Sequence, residues 1–156
     1  MMLKDKLRAI GIAVTLSLSC NFQYGFSSTY LNSPVEEFRI FLNESAQHRG
    51  IQMDEGLYRL CWNMISNIWF IGFFFGVWLS PIMNDRFGRK VGFLFNNIIN
   101  VVASLLRFAA IISFWPELLL VGRLLSSIAT AVTYQSLILY LQKNAQLKAQ
   151  MKDLNC

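Results

Sequence analysis

Four apolar runs, at 9–31, 60–83, 91–113 and 118–141, take up most of this chain of 156 residues. Each is about 23 residues long. At a helical rise of about 1.5 Å per residue that gives roughly 35 Å, enough to cross a hydrocarbon core of about 30 Å with some tilt. Backbone inside lipid must satisfy its own hydrogen bonds, so the runs predict α-helices. Composition agrees. The chain is 54% hydrophobic and 15% charged, with a mean hydropathy of +0.41, where a soluble domain carries about 25% charge. Buried helices of a soluble domain are the competing reading. Four successive runs of this length, two of them joined by very short connections, argue against it.

The formal net charge is +5, which in a soluble chain would suggest nucleic acid. Here the basic residues cluster at the ends of apolar runs, so lipid rather than nucleic acid is the expected partner. Lys4, Lys6 and Arg8 precede the first run, Arg86, Arg89 and Lys90 lie between the second and third, and Lys143, Lys148 and Lys152 follow the fourth. The connection at 32–59 has Arg39, Arg49 and Arg59 against five acids, and that near 114–117 has no cation. The positive-inside rule then predicts four spans with both termini cytoplasmic. A cleaved signal peptide is the rival for the first run, which opens with a basic stub and an apolar stretch ending in small residues before Cys20. The run continues, however, with Asn21, Gln23, Ser27, Ser28, Thr29 and Asn32 among aromatics. Such a polar half-helix is expected to face protein or a watery cavity.

The most specific segment is Asn84-Asp85-Arg86-Phe87-Gly88-Arg89-Lys90. So short a connection joins antiparallel neighbours, Gly88 permits the reversal, and Asp85 can complement a helix N-terminus or pair with a cation. Asn43-Glu44-Ser45 in the acidic connection is an N-glycosylation acceptor. Gly72 and Gly76 form a Gly-x-x-x-Gly pair suited to close helix contact. Asn63 and Asn67 share a helical face, as do Asn96 and Asn100, and bonds between helices are expected of most of these amides. Trp69 and Trp78 are expected to pack or anchor at the interface rather than stack on a ligand. Arg107 and Arg123 lie within apolar runs and need partners, for which Glu117 is the nearest acid in sequence. The cysteines, Cys20, Cys61 and Cys156, have neither disulfide-framework nor metal spacing. His48 stands alone. No nucleotide-binding glycine loop or catalytic triad is present, so neither a cofactor nor an enzyme is expected.

Asp85-Arg86-Phe87-Gly88-Arg89-Lys90 resembles the loop signature of the major facilitator superfamily, particularly its sugar porters. Phe22-Gln23-Tyr24-Gly25-Phe26, Asn32-Ser33-Pro34, Val121-Gly122-Arg123-Leu124 and Tyr140-Leu141-Gln142 are similar to segments of the same family, so that the likeness runs from about residue 8 to residue 142. It implies an all-α membrane protein whose four helices belong to the six-helix N-terminal half of a hexose carrier. Complete relatives have twelve spans and work by alternating access between two halves. It further implies a glycan on Asn43, a conformational role for Asp85, Arg86, Gly88, Arg89, Lys90 and Arg123, and sugar contacts from Gln23, Tyr24, Ser28 and Thr29, whose amide, hydroxyl and aromatic groups suit a polyol. The chain departs from the pattern at Pro81, where the signature opens with Gly, at Ser127 and Ala131, which replace glycines, and at Lys143, which replaces a glutamate. Residues 144–156 resemble nothing in the family. The expectation is a partial N-terminal domain over 1–142 and a divergent basic tail over 143–156, either disordered or a short amphipathic helix on the membrane surface. A longer reading frame truncated or replaced at that junction would account for it. A transport-inactive protein that associates with other helices, or with a full-length carrier, is the alternative function.

Overall fold

A computed structural model describes residues 3–30 and 33–153. Five helices follow one another: α1 (Leu3–Thr29), α2 (Val35–His48), α3 (Glu55–Phe87), α4 (Arg89–Ile112) and α5 (Pro116–Asp153). There is no strand among the described residues. The second, third and fourth apolar runs become α3, α4 and α5, each long and apolar enough to cross a membrane. The first run becomes α1. It has 27 residues and hence the length, but polar residues dilute its apolar character in the second half.

Two junctions explain the antiparallel order. Gly88 alone separates α3 from α4, at φ 81° and ψ 149°, a region that side-chain-bearing residues avoid. The expected reversal at Gly88 is therefore present and confined to that residue. At the other end of α4 the chain turns through Phe114, at φ 53°. The N–H of Trp115 reaches the Ala110 carbonyl at 3.0 Å and that of Phe114 the Ile111 carbonyl at 3.4 Å, a Schellman closure. Pro116 then opens α5 at a position where its missing N–H costs nothing. Pro81, by contrast, lies inside α3, where it removes one helical hydrogen bond.

α5 is the central helix. It packs chiefly against α4 and α3 and to a smaller extent against α1. Half of its apolar stretch is buried, against about a quarter for α3 and α4. Most of its buried residues are small or hydroxylated, among them Ser126, Ser127, Ala129, Thr130, Ala131, Thr133 and Ser136, alongside Leu119, Arg123, Val132 and Leu137. Many large residues, among them Phe70, Phe74, Trp78, Leu94, Ile98 and Phe108, lie on the outer surface. In lipid, apolar burial between helices gains little, and close approach of backbones is what holds them. A Cβ on Gly76 would lie 2.6 Å from the Ile128 carbonyl oxygen and 2.7 Å from the Ala131 Cβ, and one on Gly72 would collide with Ser127. The glycine pair of α3 thus seats on the Ser127–Ala131 step of α5.

The connection at 32–59 contains a helix that its polar sequence concealed. α2 carries Glu36 and Glu37 in its first turn, where the helix dipole favours acids. It buries Phe38, Phe41 and Leu42 against Ile65, Ala110 and Leu119 at the end of the bundle opposite Gly88, and Ala46 is buried as well. Leu42 is 1% exposed, a burial worth about 1.5–3 kcal/mol for a side chain that leaves water. The tail also differs from both expectations for it. Through Asp153 it prolongs α5 as one helix instead of forming a separate surface helix, and residues 154–156, including Cys156, lie outside the described residues. So do Leu31 and Asn32.

Candidate functional site

The four polar candidates of α1 do not converge. Gln23 is half-buried and lines a shallow cleft of about 520 Å³ between α1 and α4 with Ser19, Asn97, Asn100 and Ser104. Tyr24 turns the other way, edge-on to Trp69 at 5.4 Å and Phe73 at 5.5 Å and 6.0 Å from the ring of Tyr134. Ser28 and Thr29 donate their hydroxyl hydrogens to the Gly25 carbonyl of their own helix, at 3.0 and 2.7 Å. Asn21, Ser19 and Thr15 likewise bond to α1's own backbone. That local bonding changes the expectation for the polar half-helix: Asn21 and Thr29 are exposed, and each bonds a donor within its own helix. Trp69 is buried at 2% exposure and Trp78 is 79% exposed, one packed and one facing outward.

At the opposite end, Asp85 and Arg86 occupy the last turn of α3 and are exposed, as is Lys90 at the start of α4. Arg89 opens α4, and its side chain is not among those described. Asn84 is the buried member of the segment. It donates to Ser80 Oγ at 3.0 Å and accepts from Ser136 Oγ of α5 at 2.7 Å, tying the loop to the central helix. Gly92 leaves room for it, since a Cβ there would lie 3.2 Å from Asn84 Oδ1.

Of the asparagine pairs, only Asn100 bonds between helices, accepting from Ser126 Oγ at 3.1 Å and Thr130 Oγ1 at 3.4 Å. Asn67 and Asn96 instead donate to the Asn63 and Gly92 carbonyls of their own helices. The general expectation of interhelical amides is thereby corrected: four-residue spacing lets an amide reach its own backbone first.

The expected ion pair of Glu117 with Arg107 or Arg123 is also corrected. Glu117 pairs with Arg49, the residue that ends α2. These hydrogen bonds hold the Glu117 carboxyl below its ordinary range, and they help close α2 onto the bundle. A second exposed pair, Arg39 with Glu55, joins α2 to α3. Arg107 and Arg123 turn to Tyr30 instead. Their guanidinium carbons lie 5.4 and 5.1 Å from the centroid of that ring, and Arg107 also donates to Ser104 Oγ at 2.9 Å. The Arg107 stem crosses over Gly122, whose Cβ it would meet at 2.8 Å, so this glycine of α5 is the opening through which α4 reaches the tyrosine.

Asn43 is exposed on α2, while Ser45 is 2% exposed and donates to the Phe41 carbonyl at 2.8 Å. Among the described residues no group of His, Cys, Asp or Glu could hold a metal.

Sequence reasoning missed Tyr30 as the partner of two arginines and the buried hydroxyls of α5 as the material of the bundle. The second was signalled by Ser126, Thr130, Thr133 and Ser136 recurring at three- and four-residue steps. The first had no local signal, since Tyr30 lies far from both arginines in sequence.

Helices packed through small residues, a one-glycine reversal after Asp85-Arg86-Phe87 and a buried Gly-Arg pair on the central helix define part of a membrane transporter bundle. The family model described as "Sugar (and other) transporter" matches residues 12–153, and the chain belongs to that family as an N-terminal portion. It is 33% identical over 122 residues to the human solute carrier family 2, facilitated glucose transporter member 5, covering 78% of this chain and 24% of that protein. It is 28% identical over 139 residues to the mouse member 7, covering 87% of this chain and 27% of that protein. The mouse member 3 is 31% identical over 117 residues, 74% of this chain and 24% of that protein. The chain thus spans about a quarter of the length of these relatives. No solved structure matches it.

Proposed function

We propose that this chain forms the first four spans of a hexose carrier that works by alternating access, in the plasma membrane, with both termini cytoplasmic and α2 outside. The observation that carries the proposal is the sugar-transporter family match over 12–153. Gln23, Tyr24, Ser28 and Thr29 are the proposed sugar contacts, and Asp85, Arg86, Gly88, Arg89, Lys90 and Arg123 the proposed conformational elements. The positions of Asp85, Arg86 and Lys90 at one exposed end, beside a single-residue reversal, suit a latch that another half-carrier engages. Asn43 is the proposed glycan site. The cycle needs no cofactor and no covalent chemistry.

A second reading is that the chain moves no sugar by itself and associates with another carrier's helices or a second copy. What favours it is the open cleft lined by Gln23, Asn97 and Asn100, where a further helix could bring partners.

Uptake of labelled glucose and fructose by transporter-null cells expressing this chain separates the two. Saturable uptake that Asp85→Asn slows supports a complete pathway. Absence of uptake, with co-purification of a full-length carrier, supports association. Absence of both uptake and hexose binding refutes the hexose reading.

A further inference from the structure

The end of the bundle around Gly88 carries more positive charge than the fold answers. Arg86, Lys90 and Lys143 are exposed there, and Asp85 is the one acid of the loop segment. The ion pairs of the described residues, Arg39 with Glu55 and Arg49 with Glu117, belong to the α2 side. Lys90 stands in the first turn of α4, where the helix dipole itself disfavours a cation. It also lines a cleft of about 350 Å³ between α1, α4 and α5, together with Leu16, Phe93, Leu94, Leu137 and Tyr140. Ser136, the remaining lining residue, already donates its hydroxyl hydrogen to Asn84 Oδ1 and to the Val132 carbonyl, each at 2.7 Å. The cleft therefore offers carbon along its walls and a full charge at Lys90 alone. Among the described residues neither Lys90 nor Tyr140 has a hydrogen-bond or ion-pair partner.

An apolar slot bordered by an unpaired cation is the complement of an amphiphile with a negative head. A helix packed into the same slot would enclose the ammonium among carbons, which is costly in a membrane. Basic pockets between spans on the cytoplasmic side suit anionic headgroups, and the cytoplasmic leaflet is the one that carries them.

We propose that this cleft binds one anionic phospholipid, with its phosphate on the Lys90 ammonium and one acyl chain along Leu16, Phe93, Leu94 and Leu137. The chain supplies position without selectivity, because bilayer carbon is as apolar as leucine. Selectivity comes from the charge at Lys90. Tyr140, with an apolar ring and a polar tip, suits the boundary between headgroup and chain. None of the proposed sugar contacts lines this cleft. The leaflet follows from the topology proposed above, whereas the preference for a negative headgroup does not depend on it.

Native mass spectrometry of the whole chain in detergent tests the site. Phosphatidylserine and phosphatidylcholine with identical acyl chains are titrated in separate samples, and helix content is checked by circular dichroism for every variant. The expected result is a first phosphatidylserine bound about fivefold more tightly than phosphatidylcholine, the preference that one basic residue near the headgroups confers. Lys90→Gln should bring the two lipids level, and Lys90→Arg should keep them apart. Leu94→Trp, at a position 54% exposed, should fill the cleft and weaken phosphatidylserine binding although Lys90 is intact. Lys143→Gln, at the same end but outside the cleft, should leave the ratio unchanged. Equal binding of the two lipids by the unaltered chain overturns the site, as does a preference that survives Lys90→Gln or ignores Leu94→Trp. A ratio that falls as far with Lys143→Gln as with Lys90→Gln overturns it too, since that is a diffuse basic surface. So does displacement of bound phosphatidylserine by inorganic phosphate, which would show an anion site with no use for the acyl chain. Detergent presents no sidedness, so these outcomes stand apart from any failure of the topology.

Discussion

Replacing Gly76 with alanine adds one methyl group where α3 crosses α5. Built on the present backbone, its Cβ falls 2.6 Å from the Ile128 carbonyl oxygen, 2.9 Å from the Ile128 Cα and 2.7 Å from the Ala131 Cβ. Two of the three obstacles are main chain, which no side-chain rotation clears. To restore an ordinary contact of about 3.4 Å the helices must separate by about 0.8 Å at this level. The Ser136 Oγ to Asn84 Oδ1 bond, now 2.7 Å, joins the same two helices and would stretch toward its limit. Overpacking costs about 1–3 kcal/mol and the buried hydrogen bond about 1 kcal/mol. Alanine returns up to about 1 kcal/mol through its better helix propensity. The expected net loss is about 1–3 kcal/mol, read as an earlier midpoint in SDS-induced unfolding from lipid micelles, followed by tryptophan fluorescence. Ala131→Gly should recover only part of it, because the Ile128 main chain remains. The same change at Gly72 meets the movable Ser127 hydroxyl first and should recover more when paired with Ser127→Gly. An unchanged or raised midpoint for Gly76→Ala would refute the view that close backbone approach holds these helices together.

Asn84→Ala should cost about 1–3 kcal/mol by leaving Ser136 without its interhelical acceptor, and Ser136→Ala should cost less, which the same unfolding titration measures. The Glu117 carboxyl is held below its ordinary range by Arg49, so the pair stabilises α2 docking above the unfolded-state pKa. That contribution is lost as pH falls through the lower folded value. Proteolysis of the α2 segment should therefore increase on acidification, and Glu117→Gln should flatten this response. Asn43→Gln should abolish a glycosidase-sensitive mass shift of the protein expressed in cells, and an unshifted wild-type chain would remove the glycan assignment.

The three helices α3, α4 and α5 were legible because long apolar runs have one solution in lipid, and the Gly88 reversal because that residue is needed where φ is positive. α2 was not legible, since its apolar residues Phe38, Phe41, Leu42 and Ala46 are spaced between acids in a stretch that reads as a polar connection. The pairing of Arg107 and Arg123 was misjudged for a related reason. Proximity in sequence favoured Glu117, while the fold brings Arg49 to Glu117 from 68 positions away and brings Tyr30 between the two arginines. Asn84 was noticed as the first residue of the loop motif, but its burial against Ser136 depends on a helix 52 positions further on. The family likeness did not indicate that Gln23 and Tyr24 point to different sides of α1.

If Asn43 carries the proposed glycan, the burial of Ser45 sets an order of events in the life of the chain. A glycosylating enzyme must grasp the acceptor triplet, including its serine hydroxyl, and in the folded protein that hydroxyl is enclosed and bonded to Phe41 within a continuous helix. Asn43 lies at the surface, yet the triplet as a whole is closed to the enzyme once Phe38, Phe41 and Leu42 have docked. A sugar chain on Asn43 would therefore have to be added during synthesis, before α3 and α5 have assembled the platform on which α2 rests. The extent of modification would then act as a clock for assembly, highest in chains whose helices come together slowly.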